Sequence, residues 1–133
     1  MAMILPEDKL EAATALTSCG IAYVLKYIQA AMQAGIEMGI RPSDAMDMIA
    51  QSVKGAAELI LNNDTHPSVE IDKVCTPGGI TIKGINELEH DGYSSAIINA
   101  IKAIPKYLNA FVFIILYFYG PYLYHLSFDM TKV

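Results

Sequence analysis

The sequence is short of charge and of cysteine, and its opening residues do not read as a secretory leader. Charged residues make up 17% of the 133 positions and the formal net charge is −5. The few Lys and Arg are scattered, so the basic patch expected of a nucleic-acid-binding protein is missing, and the acidity reads as ordinary solubility. Cys19 and Cys75 stand far apart and outside any C-x-x-C pair. That excludes a disulfide framework and leaves reduced thiols in the cytoplasm as the expectation. None of His66, His90 and His125 is spaced to serve a cysteine as its base. His66 and His90 lie at element ends and read as capping or solvated residues. No grouping of His, Asp and Glu has metal-ligand spacing. The opening MAMIL is too short for a signal peptide and lacks its basic region. No stretch up to residue 104 reads as a strand.

What is present is apolar. Hydrophobic residues are 53% of the chain, more than an average soluble domain carries. The length suits one domain with one core. The excess therefore calls for helices that bury two faces, a partner surface, or a membrane.

From Pro6 to Gly39 the pattern is mainly helical. Pro6 suits a first helical position, with Glu7 and Asp8 at the positive end of the dipole. The weak helix formers Thr17-Ser18-Cys19-Gly20 interrupt it. Ile21, Val24, Leu25, Ile28, Met32 and Ile36 then recur at helical spacing around a wide arc, and Gly39 is a natural stop. A second helix is expected from about Asp44 to Leu61, capped by Ser43, with Gly55, Ala56 and Ala57 allowing close approach of another helix. Residues 65–76 read as a connection with a short turn around Val69 to Val74. After Pro77-Gly78-Gly79, a helix is expected over Ile80 to His90. A break at Asp91-Gly92 precedes a last helix, Ala96 to Ile104, capped by Ser94 or Ser95. Seven methionines at helical spacing read as core filler.

Residues 105–133 differ from the rest. No formal charge falls between Lys106 and Asp129, and Phe111, Phe113, Tyr117, Phe118, Tyr119, Tyr122 and Tyr124 crowd together. The stretch nears the roughly 20 residues a membrane-spanning helix needs. Gly120-Pro121 and the tyrosines argue against that. A helix from Leu108 to Tyr119 that covers the bundle or a partner is a second reading, and out-of-frame coding a third. Membrane contact through this tail is the less favoured partner.

Chemistry concentrates in Thr76-Pro77-Gly78-Gly79-Ile80-Thr81. Glycines permit a turn with positive φ and leave room for a ligand. Amides in a first helical turn have no intrahelical acceptor and carry the positive end of the dipole, which suits a small carboxylate. Thr76 and Thr81 add uncharged hydroxyls. The same residues also read as a plain turn before a helix.

Five segments in this order resemble a known family. Thr14 to Tyr23 is similar to T-A-L-S-G-S-G-P-A-Y, Ala34 to Ile40 to A-G-V-x-M-G-L, and Gln51 to Ala57 to Q-T-V-x-G-A-A. His66-Pro67 with Val74 to Thr81 is similar to H-P and V-x-S-P-G-G-T-T, and Leu88-Glu89 with Gly92-Tyr93 to L-E-x-x-G-F. The family is the C-terminal dimerisation domain of the pyrroline-5-carboxylate reductases, and the resemblance covers about residues 7 to 104. It implies an all-α bundle of about four to five helices that interlocks with a second copy, as a homodimer or higher oligomer, in a domain spanning 1–104. It also implies reduction of pyrroline-5-carboxylate to proline with NADPH or NADH. Carried over by position, Thr76, Gly78, Gly79, Ile80 and Thr81 hold the substrate. Thr81 contacts the ring nitrogen as the catalytic residue, orienting a proton rather than donating it, since a neutral hydroxyl is a poor general acid.

The departures are specific. Thr17-Ser18-Cys19-Gly20-Ile21 lacks one glycine and the proline of the family pattern. Ile80 stands where a small residue is common, which predicts a tighter pocket. The tail has no counterpart. No G-x-G-x-x-G turn occurs in the chain, and that turn is the physical means of holding a dinucleotide pyrophosphate. The expectation is that this chain alone binds no cofactor and is inactive unless a separate Rossmann-domain chain supplies one. A dimerising ligand-binding module without turnover, and a small membrane-associated helical protein, are the alternatives.

Overall fold

The computed structural model describes residues 4–108, and those residues contain helices, turns and connections but no strand. The chain is all-α. The expected aromatic helix from Leu108 to Tyr119, and the tail beyond it, lie outside the described residues apart from Leu108 itself. The chain divides into two compact units, Gly20–Ile97 and one built from the residues before and after it.

In the second of these units, a 3-10 turn, Glu7–Lys9, leads into α1, Leu10–Leu16. Lys9 donates its amide to the Pro6 carbonyl at 3.0 Å, and acidic Glu7 and Asp8 fill the first turn. Two threonines compete with the helical ladder. Thr14 Oγ1 donates to Leu10 O at 2.9 Å and Thr17 Oγ1 to Ala13 O at 2.7 Å. Such back-bonding weakens and bends helices, and here it coincides with the break expected at Thr17-Ser18-Cys19. Ala15 is the buried residue of α1.

In the unit Gly20–Ile97, α2 (Gly20–Glu37) packs on α3 (Pro42–Asn63). The turn between them is set by backbone geometry. Gly39 has φ +91, its amide donates to Ile36 O at 2.9 Å, and the Ile40 amide reaches back to Gly35 O at 3.0 Å. This is the paired bonding of a Schellman ending, which requires the left-handed residue that glycine supplies. The helices approach closely at Gly35, where an added Cβ would lie 3.3 Å from Ala45 Cβ. Ala45 is correspondingly buried.

α3 begins two residues earlier than the sequence indicates, because Arg41 rather than Ser43 is its N-cap residue, with Pro42 at the first helical position. Ser43 instead donates to Asp44 Oδ1 at 3.3 Å. Arg41 grips Asp44 Oδ2 through Nε and a terminal nitrogen, each at 2.8 Å. α3 ends where Asp64 turns left-handed, at φ 50 and ψ 37. The expected short turn at 69–74 is a full helix, α4 (Pro67–Val74). α5 is Ile80–His90, with the expected boundaries. Residues 93–108 form α6, three residues longer at its start than expected. The carbonyl of Gly92 accepts the Ala96 amide at 2.9 Å, while Ser94 turns back to Glu89 Oε1 at 2.6 Å and so does not cap.

Apolar residues are mostly not covered within the chain. Among the described residues, the only hydrophobic ones that are buried are Ala15 and Ala45. Ile21, Val24 and Leu25 on α2 are exposed, as are Met46, Met48 and Leu59 on α3. Covering one such side chain fully is worth about 1.5–3 kcal/mol, so the bare faces forfeit far more than a marginal domain can spare. The methionines read as core filler include Met38, at 76% exposure, and Met48 at 59%. Met48 lies on α3 and Met38 in the turn after α2, and both are exposed.

Candidate functional site

The turn between α4 and α5 is built from the residues the sequence singles out. Thr76-Pro77-Gly78-Gly79 closes with the Gly79 amide donating to the Thr76 carbonyl at 2.9 Å, and Gly78 sits at φ +71. Proline at the second position and a positive-φ glycine at the third make a type II turn. Gly79 is constrained for a different reason. A Cβ there would lie 2.6 Å from Thr76 Oγ1 and 2.9 Å from the Thr76 carbonyl oxygen. No side chain fits without opening the turn.

This geometry corrects one detail of the expected cradle. Gly79's own amide is spent in closing the turn, so it is not a ligand donor. Gly79 is the N-cap of α5, and no side chain caps that helix start. The amides of Ile80, Thr81 and Ile82 therefore precede any intrahelical acceptor and carry the dipole's positive end.

Thr81 lines an open groove of about 420 Å³ together with Tyr27 of α2, Leu59 and Ile60 of α3, Glu70 of α4 and Ile85 of α5. Cys75 borders the same groove and is a free thiol. Thr76, Gly78, Gly79 and Ile80 do not line it. Ile80 is 86% exposed.

The groove contains a charged group that sequence reasoning passed over. Glu70 is buried at 9% exposure. Its Oε1 accepts from Thr65 Oγ1 at 2.5 Å and from Lys73 Nζ at 2.8 Å. The Lys73 hydrogen bond, then the Thr65 one, holds the Glu70 carboxyl below the usual carboxylate range, with a smaller contribution from Asn63. The Glu70–Lys73 spacing, one helical turn, was readable in the sequence, but only once 67–74 is known to be helix. At the start of the same helix, His66 Nδ1 accepts the Ser68 amide at 3.3 Å, which bears out His66 as a capping residue. Among the described residues, no cluster of three or more His, Cys, Asp or Glu could hold a metal ion. None of their helices is long and apolar enough to cross a membrane.

Comparison with known proteins decides the lineage. Residues 7–109 match the family described as pyrroline-5-carboxylate reductase dimerisation. The chain belongs to the pyrroline-5-carboxylate reductase dimerisation family. Pyrroline-5-carboxylate reductase 1 of Dictyostelium discoideum is 50% identical over 101 residues, 76% of this chain and 18% of that protein. The human pyrroline-5-carboxylate reductase 2 is 38% identical over 97 residues, 73% of this chain and 30% of that one. Among solved structures, the Plasmodium falciparum pyrroline carboxylate reductase with NADP bound superposes with a TM-score of 0.76 at 29% identity, covering 80% of this chain and 43% of that one. The Streptococcus pyogenes 1-pyrroline-5-carboxylate reductase gives the same TM-score at 31% identity, covering 78% and 40%. The chain thus spans about a third or less of the curated reductases and about two fifths of the solved ones.

Proposed function

We propose that this chain is the substrate-holding, self-associating region of a pyrroline-5-carboxylate reductase, taking the ring carboxylate of pyrroline-5-carboxylate or proline on the first-turn amides of α5. The observation that carries this is the uncapped helix start behind the Gly78–Gly79 turn, with Thr81 on the groove beside it. The Ile80, Thr81 and Ile82 amides bind the carboxylate, and Thr76 and Thr81 supply hydroxyls at its edge. Gly78 and Gly79 build the turn that frees those amides. Thr81 orients the ring nitrogen and its proton. Residues 1–104 carry this role, and 105–133 stand outside it.

A nicotinamide dinucleotide does not fit the residues present. The described residues contain no strand that could lead a Gly-rich turn into a helix, and the whole sequence lacks G-x-G-x-x-G. We therefore assign binding rather than turnover to these 133 residues. NADPH or NADH, and with it the hydride, belongs to a Rossmann domain outside them, on a separate chain if need be. The exposed apolar faces of α2 and α3 support a homodimer or higher oligomer. The two free thiols suit the cytoplasm.

Calorimetric titration with proline tests the reading. Saturable binding that Gly79→Val abolishes is the expected result. Proline binding unchanged in that variant, or absent from a folded wild-type oligomer, would refute it.

A further inference from the structure

α4 runs straight into the Thr76–Thr81 turn, and the side chains that hold it accept hydrogen bonds whose strength depends on protonation, since a neutral carboxyl accepts more weakly than a carboxylate. At its start, His66 Nδ1 accepts the Ser68 amide, which requires the neutral ring with its proton on Nε2. One turn later Glu70 takes Thr65 and Lys73 on a single oxygen, with Asn63 of α3 as a further donor, an arrangement that suits the ionised carboxylate. Apolar packing adds little, because Val69, Ile71 and Val74 of α4 are all exposed.

The groups around the two acceptors are few. Lys73 is on α4 itself, and α3 contributes Asn63, with Asp64 just beyond its last residue. In the groove that Glu70 lines, α2 contributes Tyr27, α5 contributes the neutral Thr81 and Ile85, and Cys75 follows α4. His66 has Asp64 two positions before it and Glu70 four after it. Lys73 is the one cation among these groups.

We propose that α4 is an acid-released latch on the Thr76–Thr81 turn: neutral His66 and ionised Glu70 hold the helix, and protonating either loosens it and the turn it enters. Its effect on a ligand rests on the carboxylate-binding reading above; the latch itself does not. The Lys73 and Thr65 hydrogen bonds hold the Glu70 carboxyl below the usual carboxylate range, so its release needs stronger acid than an ordinary carboxylate would.

Hydrogen–deuterium exchange on the full chain tests this, read on the segment 64–76 with α2 as internal reference, at pH 7.5 and 5.5 after correction for intrinsic rates. The 64–76 segment should lose protection relative to α2 by roughly fivefold at pH 5.5, the scale of a lost helix cap. His66→Asn supplies a cap that does not titrate and should remove that step. Glu70→Gln should lower protection at both pH values and leave the step in place. An unchanged ratio in the wild type, or the same loss in His66→Asn, would overturn the latch. Proline titrations at both pH values form the second arm. Affinity falling in parallel with protection supports control of the site, and a pH-independent affinity alongside a loosened α4 overturns it. If α4 loosens but proline binds at neither pH, the latch holds and the carboxylate site fails.

Discussion

The α2–α3 hairpin and the α4–α5 pair use the same backbone device and reach different ends. Each places a positive-φ glycine in the connection, Gly39 at +91 and Gly78 at +71. After Gly39 the next helix start is less open, though it too has no side-chain cap. Pro42 has no amide to offer, and Arg41 holds Asp44 over the first turn. After Gly78 the next helix start is open, since Ile80 and Thr81 have amides and nothing caps them. A glycine turn therefore does not make a site. The residues that enter the next helix decide, and the second turn leaves one more amide and no acidic residue in the first helical turn. The helix faces differ as well. The hairpin displays apolar residues to solvent, while α4 is held by hydrogen bonds between particular side chains.

Four substitutions would break or sharpen that contrast. Leu25→Glu should act most strongly, because it places a charge on an exposed hairpin face that we assign to self-association. Each apolar side chain covered there is worth about 1.5–3 kcal/mol, so sedimentation should show a shift toward monomer, and an unshifted oligomer would free that face of the role. Gly35→Val forces branched carbons against Ala45, where even a Cβ sits at 3.3 Å. Overpacking of this kind costs about 1–3 kcal/mol, visible as a lower urea midpoint. Gly78→Ala and Gly39→Ala meet no atom within 4 Å, so each should pay only the left-handed backbone penalty, about 1–2 kcal/mol. Proline affinity should fall in the first and hold in the second, which separates the two turns by function rather than by stability.

The smallest effect is in acid. The Lys73 and Thr65 hydrogen bonds lower the Glu70 carboxyl below the ordinary 4.5. Stability from a lowered carboxyl is present above that ordinary value and lost as pH falls through the lowered one. Wild type should therefore lose stability on acidification through this range more steeply than Glu70→Gln, as followed by urea midpoints across a pH series.

Much of the fold was legible in the sequence, and the reasons are local. The α5 boundaries follow from Pro-Gly-Gly before it and Asp-Gly after it. The α1–α2 break follows from four weak helix formers in a row, and the end of α2 from Gly39. α4 was not legible as a helix, because eight residues give too little period and its anchors are a histidine cap and a Thr65–Glu70 bond across its start. The Ser43 cap failed because Pro42 suits the first helical position and moves the cap back to Arg41. At the candidate site, the residue set was readable from Thr76 to Thr81. The direction of the Gly79 amide was not, since one residue type serves both to close a turn and to cradle an anion. The outward projection of Ile80 was equally hidden, as it depends on where the first turn of α5 faces.

Amide shift mapping of the full chain during a proline titration tests the central claim most directly. Saturating shifts at Ile80, Thr81 and Ile82, with none at the start of α3, are predicted. Shifts elsewhere that leave those three amides unmoved would contradict it.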